Sequence, residues 1–337
     1  MIAPMSFVGL LALFLGAWSF HAFGGTLQAA APPNSDPATS ANLCETAFRQ
    51  FRDGQFERAR ELFRQGADGG DSECMRMLGI MHLKGLGVSQ DSQAALKWFK
   101  SAALTNRVAL YNLAEMYWFG DGVEKDVQRA ADLFRRSADS GFPPAQYRLG
   151  EFYLKQRDRD LNDEASAINW FKESAKNGVE QAKVYLAQAY ASGVGVSRNL
   201  AECRRLLEEA AGNGAADAQA DLGALYLKGE GVAQDISRAA ELLQKAAARN
   251  RPIAQFNLAA LYANGSGVPR DETEAYKLFV LAAAGGVKEA ADVRAQLDVA
   301  LPFSTIIGGI ERARMHRAKN PLRIYSEDPQ LCRGLEP

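Results

Sequence analysis

Histidine is scarce in this 337-residue chain: His21, His82 and His316 are the only three, and they stand far apart. No HExxH pair, paired CxxC or acidic calcium loop is present, so the reading is no metal site and no cofactor. The nucleophile motifs are missing too. No serine lies three residues before a lysine, and there is no G-x-S-x-G elbow. With no catalytic residues to name, the chain is not expected to be an enzyme. Charge of one sign is also lacking: 39 basic residues face 40 acidic ones, for a net charge of -1. That balance carries no footprint of a nucleic-acid partner.

A long apolar run is absent as well. The N-terminal stretch from Phe7 to Phe20 is 14 residues, short of the roughly 20 that a spanning helix needs. The first 31 residues carry no Lys, Arg, Asp or Glu, and small residues follow the run, with Ala29 and Ala31 in an A-x-A pattern. This favours a signal peptide over 1–31 and an exported product, periplasmic or secreted. Because no basic residue precedes the run, an uncleaved N-terminal anchor facing outside the cytoplasm is the alternative. Residues 32–42 read as a Pro/Ser-rich linker, with the folded part starting near Leu43.

What the chain has in abundance is one motif. "LKGLGVSQD" (83–91), "FGDGVEKD" (119–126), "SGVGVSRN" (192–199), "KGEGVAQD" (228–235) and "NGSGVPRD" (264–271) share two glycines, a valine and a closing Asp or Asn. A nucleotide site needs one such loop, not five. The loops punctuate a unit of 35 to 37 residues. Its first helix carries a Leu followed by a small residue, as in Leu113-Ala114 and Leu222-Gly223, with a small residue four positions earlier and usually Tyr four later. His82 takes the Tyr position in its unit and is expected to be a packed ring. The second helix carries bulky pairs, Trp98-Phe99 and Trp170-Phe171 among them, between alanines. Spacing of i, i+4, i+8 makes one helical stripe. Neither stripe can be buried by its own helix, so hairpins must stack. The loop then ends one helix on a left-handed glycine and starts the next on an Asp cap.

These residues resemble the Sel-one-like repeat (SLR) family, relatives of the tetratricopeptide repeats: "AQFNLAALYANGSGVPRD" follows the family unit almost position for position. The resemblance implies an all-α fold, a right-handed superhelical α/α solenoid of helix pairs. Residues 43–70 read as a tetratricopeptide-like first repeat. Residues 71–300 hold six full repeats and a C-terminal half repeat, and 301–337 a capping helix and tail. In one unit charged "KQRDRDLND" replaces the glycine turn, a candidate recognition point.

Four cysteines in an exported chain invite pairing. The cysteine-rich SLR branch closes each hairpin with its own disulfide, a spacing missing here. Cys44 and Cys74 fall on first helices of neighbouring units, so a bridge between them is one possibility. Cys203 reads as a buried thiol, and the partner of Cys332 cannot be read.

The resemblance also implies that first helices line a concave groove holding a partner protein. Outside the packing stripe, spacing places Asn112, Glu115, Trp118, Phe119, Arg148, Glu151 and Gln188 on that wall as partner-binding candidates, with Trp118 as an exposed anchor. The expected function is an exported protein–protein interaction scaffold, adaptor or regulator. Its partner would be an envelope sensor, a secretion or polysaccharide-export component, or a host protein. Nucleic acid is not expected, and membrane only through the N-terminal segment. A binder of cell-wall or polysaccharide fragments is the alternative.

Overall fold

A computed structural model of the chain describes residues 37–155 and 161–320, with side chains from 43 to 155 and from 163 to 320. The expected signal peptide, most of the irregular turn and Cys332 lie outside the described residues. Sixteen helices and no strand are found among those described. A first hairpin pairs α1 (Pro37–Arg52) with α2 (Phe56–Asp68). Six more follow: α3 (Ser72–Lys84) with α4 (Ser92–Ala102), α5 (Arg107–Phe119) with α6 (Val127–Asp139), and α7 (Pro143–Leu154) with α8 (Leu161–Lys176). Then come α9 (Glu180–Ser192) with α10 (Leu200–Gly212), α11 (Ala216–Lys228) with α12 (Ile236–Ala248), and α13 (Pro252–Asn264) with α14 (Glu272–Ala284). Finally α15 (Lys288–Ala300) and α16 (Phe303–Lys319) both pack on α14. The fold is an all-α solenoid of hairpins. It divides into two compact units, one ending at Leu149 and the next running from Gly150. Helix α1 begins ahead of Leu43, in residues expected as linker, with Pro37 at the first helical position where its missing N–H costs nothing.

The loops do what their residues dictate. Gly85, Gly120, Gly193, Gly229 and Gly265 end the first helices in the left-handed region, each with its N–H on a carbonyl of the last turn. The second glycine has another job besides turning the chain. A Cβ on Gly87 would come within 2.6 Å of the Phe56 carbonyl carbon, and one on Gly267 within 2.8 Å of the Ile236 carbonyl oxygen. Each loop therefore rests on the start of the preceding unit's second helix, and only a bare backbone fits. Asp91, Asp126, Asn199, Asp235 and Asp271 each accept N–H groups of the helix they open, satisfying donors that have no intrahelical partner.

Small residues admit large ones. Phe99 lies against Gly79 so closely that a Cβ there would be 2.7 Å from its ring Cδ1, and Leu243 fills the same place beside Gly223. Phe99, Phe171 and Leu243 are buried. Their preceding residues Trp98, Trp170 and Leu242 are only half-buried, because consecutive helix positions point about 100° apart. The expectation that both members of each bulky pair form the core therefore holds for the second member alone in these three pairs. Polar side chains lock the hairpins to one another. Gln146, Gln219 and Gln255, all buried, donate to the Ala138, Ala211 and Ala247 carbonyls in the last turn of the preceding second helix. The Arg129 and Arg238 guanidinium groups sit 4.4 and 4.8 Å from the ring centres of Tyr117 and Tyr226, a cation–π contact between the two helices of one hairpin.

Candidate functional site

Among the described residues, first helices meet through the same positions in α5–α7 and in α9–α11: the residue two after the repeat Leu, and the residue one before the Leu of the next unit. In α5 and α7 these are Glu115 and Arg148. Arg148 donates through Nη2 and Nε to Glu115 Oε1 at 2.6 and 3.1 Å. The Arg148 side chain is fully buried and that of Glu115 is 8% exposed. The guanidinium also stands 5.7 Å from the Phe119 ring centre. Removing a charge from water costs several kcal/mol, which this pair of charge-assisted hydrogen bonds to one oxygen offsets.

Several expected contact residues are therefore not exposed. Trp118 is 5% accessible and meets Phe134 edge-on at 5.9 Å. Glu115, Arg148 and Glu151 are buried, and Phe119 is half-buried. The stripe rule assumes one buried face per helix, whereas α5 is buried nearly all round, from Ala109 to Trp118 save Asn112. Asn112 is half-buried, and its Oδ1 is shielded from solvent with no hydrogen bond among the described residues. The corresponding position of the preceding unit is Ile80, which has no donor to offer.

The same register recurs open to solvent in α9 and α11. Gln188, which is exposed, donates to Asp221 Oδ2 at 3.0 Å. Desolvation pushes the Asp221 carboxyl above the usual carboxylate range; the Gln188 bond opposes this, and Asp217 adds to it. Asp221 was not among the sequence candidates, yet it stands one before the repeat Leu and one repeat beyond Gln188, so the register could have found it. The next position along, Asn257 in α13, is half-buried. Of the seven candidates, the structure joins Glu115 to Arg148, puts Phe119 beside that pair, and gives Gln188 a different partner, Asp221.

At the N-terminal end Cys44 and Cys74 form a disulfide between α1 and α3, with Cα atoms 5.9 Å apart. Cys44 Sγ is 3.8 Å from Asp71 Oδ1, the same oxygen that caps α3 through the Glu73 and Cys74 N–H groups. A Cβ at Gly66 would collide with the Cys74 sulfur. Cys203 is a buried free thiol whose pKa is raised, first by burial and then by Asp221. His82 is a half-buried ring held neutral more strongly than usual, mainly by desolvation.

The family described as Sel1 repeat matches residues 51–71, 72–104, 107–142, 143–179, 181–214, 216–250 and 252–287, well over half of the chain. The chain is a Sel1 repeat protein. Its matched segments include 51–71, inside the stretch read as tetratricopeptide-like. It resembles the crystal structure of a Sel1 repeat protein from Oxalobacter formigenes, with a TM-score of 0.67 and 29% identity over 72% of this chain and 99% of that one. It is 32% identical to rat DAP3-binding cell death enhancer 1 over 45% of this chain and 30% of that protein. It is 26% identical to an exopolysaccharide production negative regulator of Rhizobium leguminosarum, over 53% and 69% respectively. The rat alignment thus spans under a third of that relative's length. Sel1 repeat proteins generally mediate protein–protein interactions and are generally not enzymes.

Proposed function

We propose that this Sel1 repeat protein is an exported scaffold or regulator that holds a segment of a partner protein along the first helices α9, α11 and α13. The observation that supports this reading is the open Gln188–Asp221 pair. A carboxylate partly stripped of water, with a single amide donor, gains from further N–H or cationic donors, which a peptide supplies. The α5–α7 positions are already closed by their own ion pair and add rigidity. A partner in the envelope, such as a sensor or a polysaccharide-export component, accords with the similarity to the exopolysaccharide production negative regulator of Rhizobium leguminosarum. A glycan binder would stack sugar rings on exposed aromatics, whereas on this wall Trp118 is buried and Phe119 half-buried. The protein-segment reading is therefore preferred.

The test places a photo-crosslinking amino acid at Gln188 in intact cells. The reading expects a discrete protein adduct that Asp221→Lys reduces at least about tenfold while thermal unfolding stays unchanged. An adduct indifferent to Asp221, or none, would overturn it. Export is tested separately by fusing residues 1–42 to a reporter active only outside the cytoplasm. Loss of signal on deleting 7–20 is expected.

A further inference from the structure

Among the described residues, one group of cysteine, histidine and carboxylate side chains converges. The sulfur atoms of Cys44 and Cys74 and a carboxylate oxygen of Asp71 all lie within 4.8 Å of one another. They come from two hairpins: Cys44 stands on α1, while Asp71 caps α3 and Cys74 lies in its first turn. Both cysteines are buried, and Asp71 is half-buried. Bare backbone at Gly66 makes room for the Cys74 sulfur. A separation of 30 residues between the cysteines hides the cluster from any reading of short motifs.

The distances suit tetrahedral coordination. A metal bonded to sulfur at ~2.3 Å and to oxygen at ~2.0 Å sets the two ligand atoms roughly 3.5 Å apart. Cys44 Sγ and Asp71 Oδ1 are 3.8 Å apart. Two sulfurs on one such metal stand roughly 3.8 Å from each other, which the 5.9 Å between the Cys44 and Cys74 Cα atoms allows by side-chain rotation alone. We infer that these three side chains are a binding site for a borderline-soft divalent cation of the zinc class, open when the Cys44–Cys74 disulfide is reduced and closed when it forms. A dithiol gives two electrons to the sulfur–sulfur bond, leaving two thiols and becoming a disulfide itself. The cation then displaces one proton from each thiol and binds two thiolates with the ionised carboxylate. Water takes the fourth position, on the half-buried side of Asp71. Two thiolates and a carboxylate around a divalent cation leave one net negative charge, which the free N–H groups of the first turn of α3 favour. Calcium and magnesium, which take oxygen ligands, are excluded by the two sulfurs. The metal ties the same two helices as the disulfide, so the N-terminal hairpin stays clamped in either redox state.

The test uses the full chain in a Cys332→Ser background, reduced with a phosphine, with Co2+ as the spectroscopic probe. A thiolate-to-cobalt absorption band is expected in the reduced chain, bleached by added Zn2+, and none in the oxidised chain. Zn2+ should also raise the melting temperature of the reduced chain and leave that of the oxidised chain unchanged. Cys44→Ser should abolish the band. Asp71→Asn should weaken Co2+ binding at least about tenfold, while thermal unfolding of the metal-free chain stays nearly unchanged because Asn caps a helix as well as Asp does. The inference is overturned by a reduced chain with no band, by a band that survives Cys44→Ser or oxidation, or by an Asp71→Asn chain that binds Co2+ as tightly as before.

Discussion

Glu115 and Arg148 occupy the same repeat positions as Gln188 and Asp221, and each pair spans one repeat between neighbouring first helices. The first is a buried ion pair walled by Phe119; the second is an amide–carboxylate bond open to water. Register determines which residues meet, and it leaves their environment undecided. Helix α5 carries large aromatic residues, Tyr111 and Trp118, each meeting Phe134 of α6. In α9 the positions of Tyr111, Trp118 and Phe119 are held by the smaller Val184, Ala191 and Ser192. One seam is therefore rigid and the other is available to a partner.

The sharpest way to break this comparison is to remove one half of the closed seam. Arg148→Ala should cost about 3–5 kcal/mol in chemical denaturation, because Glu115 is left charged and buried without its partner. Replacing both, Arg148→Met with Glu115→Leu, should restore most of that loss. If the single and double variants fall equally, the pair is not the reason for the loss.

Trp118→Ala should cost a similar ~3–5 kcal/mol through the cavity it leaves. Trp170→Ala, at a half-buried position, should cost less, about 1–2 kcal/mol. Equal melting temperatures for the two variants would contradict the burial that separates them. Gly267→Leu should cost more than about 1–3 kcal/mol, since overpacking against the Ile236 carbonyl adds to a left-handed backbone at φ 69°.

The smallest effect belongs to the open seam. Asp221 has a folded-state pKa above its unfolded value, so the folded chain holds its proton more tightly and the ionised form opposes folding. This contribution to stability is fully present below the unfolded carboxylate pKa and is lost as pH rises through the folded one. Asp221→Asn should therefore stabilise by a few tenths of a kcal/mol at pH 7, and the gain should vanish in acid. A gain that persists below the unfolded pKa would mean that the carboxylate's ionisation is not its source.

The hairpins, their caps and their glycines were legible because each depends on local chemistry repeated many times over. A left-handed helix end needs glycine, free N–H groups need Asp or Asn, and a close crossing needs a small residue wherever it occurs. The candidate surface was legible only as a set of positions. Asn112, Glu115, Arg148 and Gln188 do lie where neighbouring first helices face each other, but their exposure was misjudged. Trp118 was misjudged most, since a helix flanked on two sides has no free face left for it. Gln188 is exposed, and its partner Asp221 lies one repeat away, beyond the reach of a reading made within a single unit.

By itself the sequence determined the period, the all-α hairpin and the residues that cap and turn it, since these rest on backbone conformations and contacts within or next to a single unit. Tertiary structure alone decided which polar pair is sealed, which stays open, and that Asp71 joins Cys44 and Cys74. Burial is set by every helix that packs around a residue, and those neighbours come from different repeats.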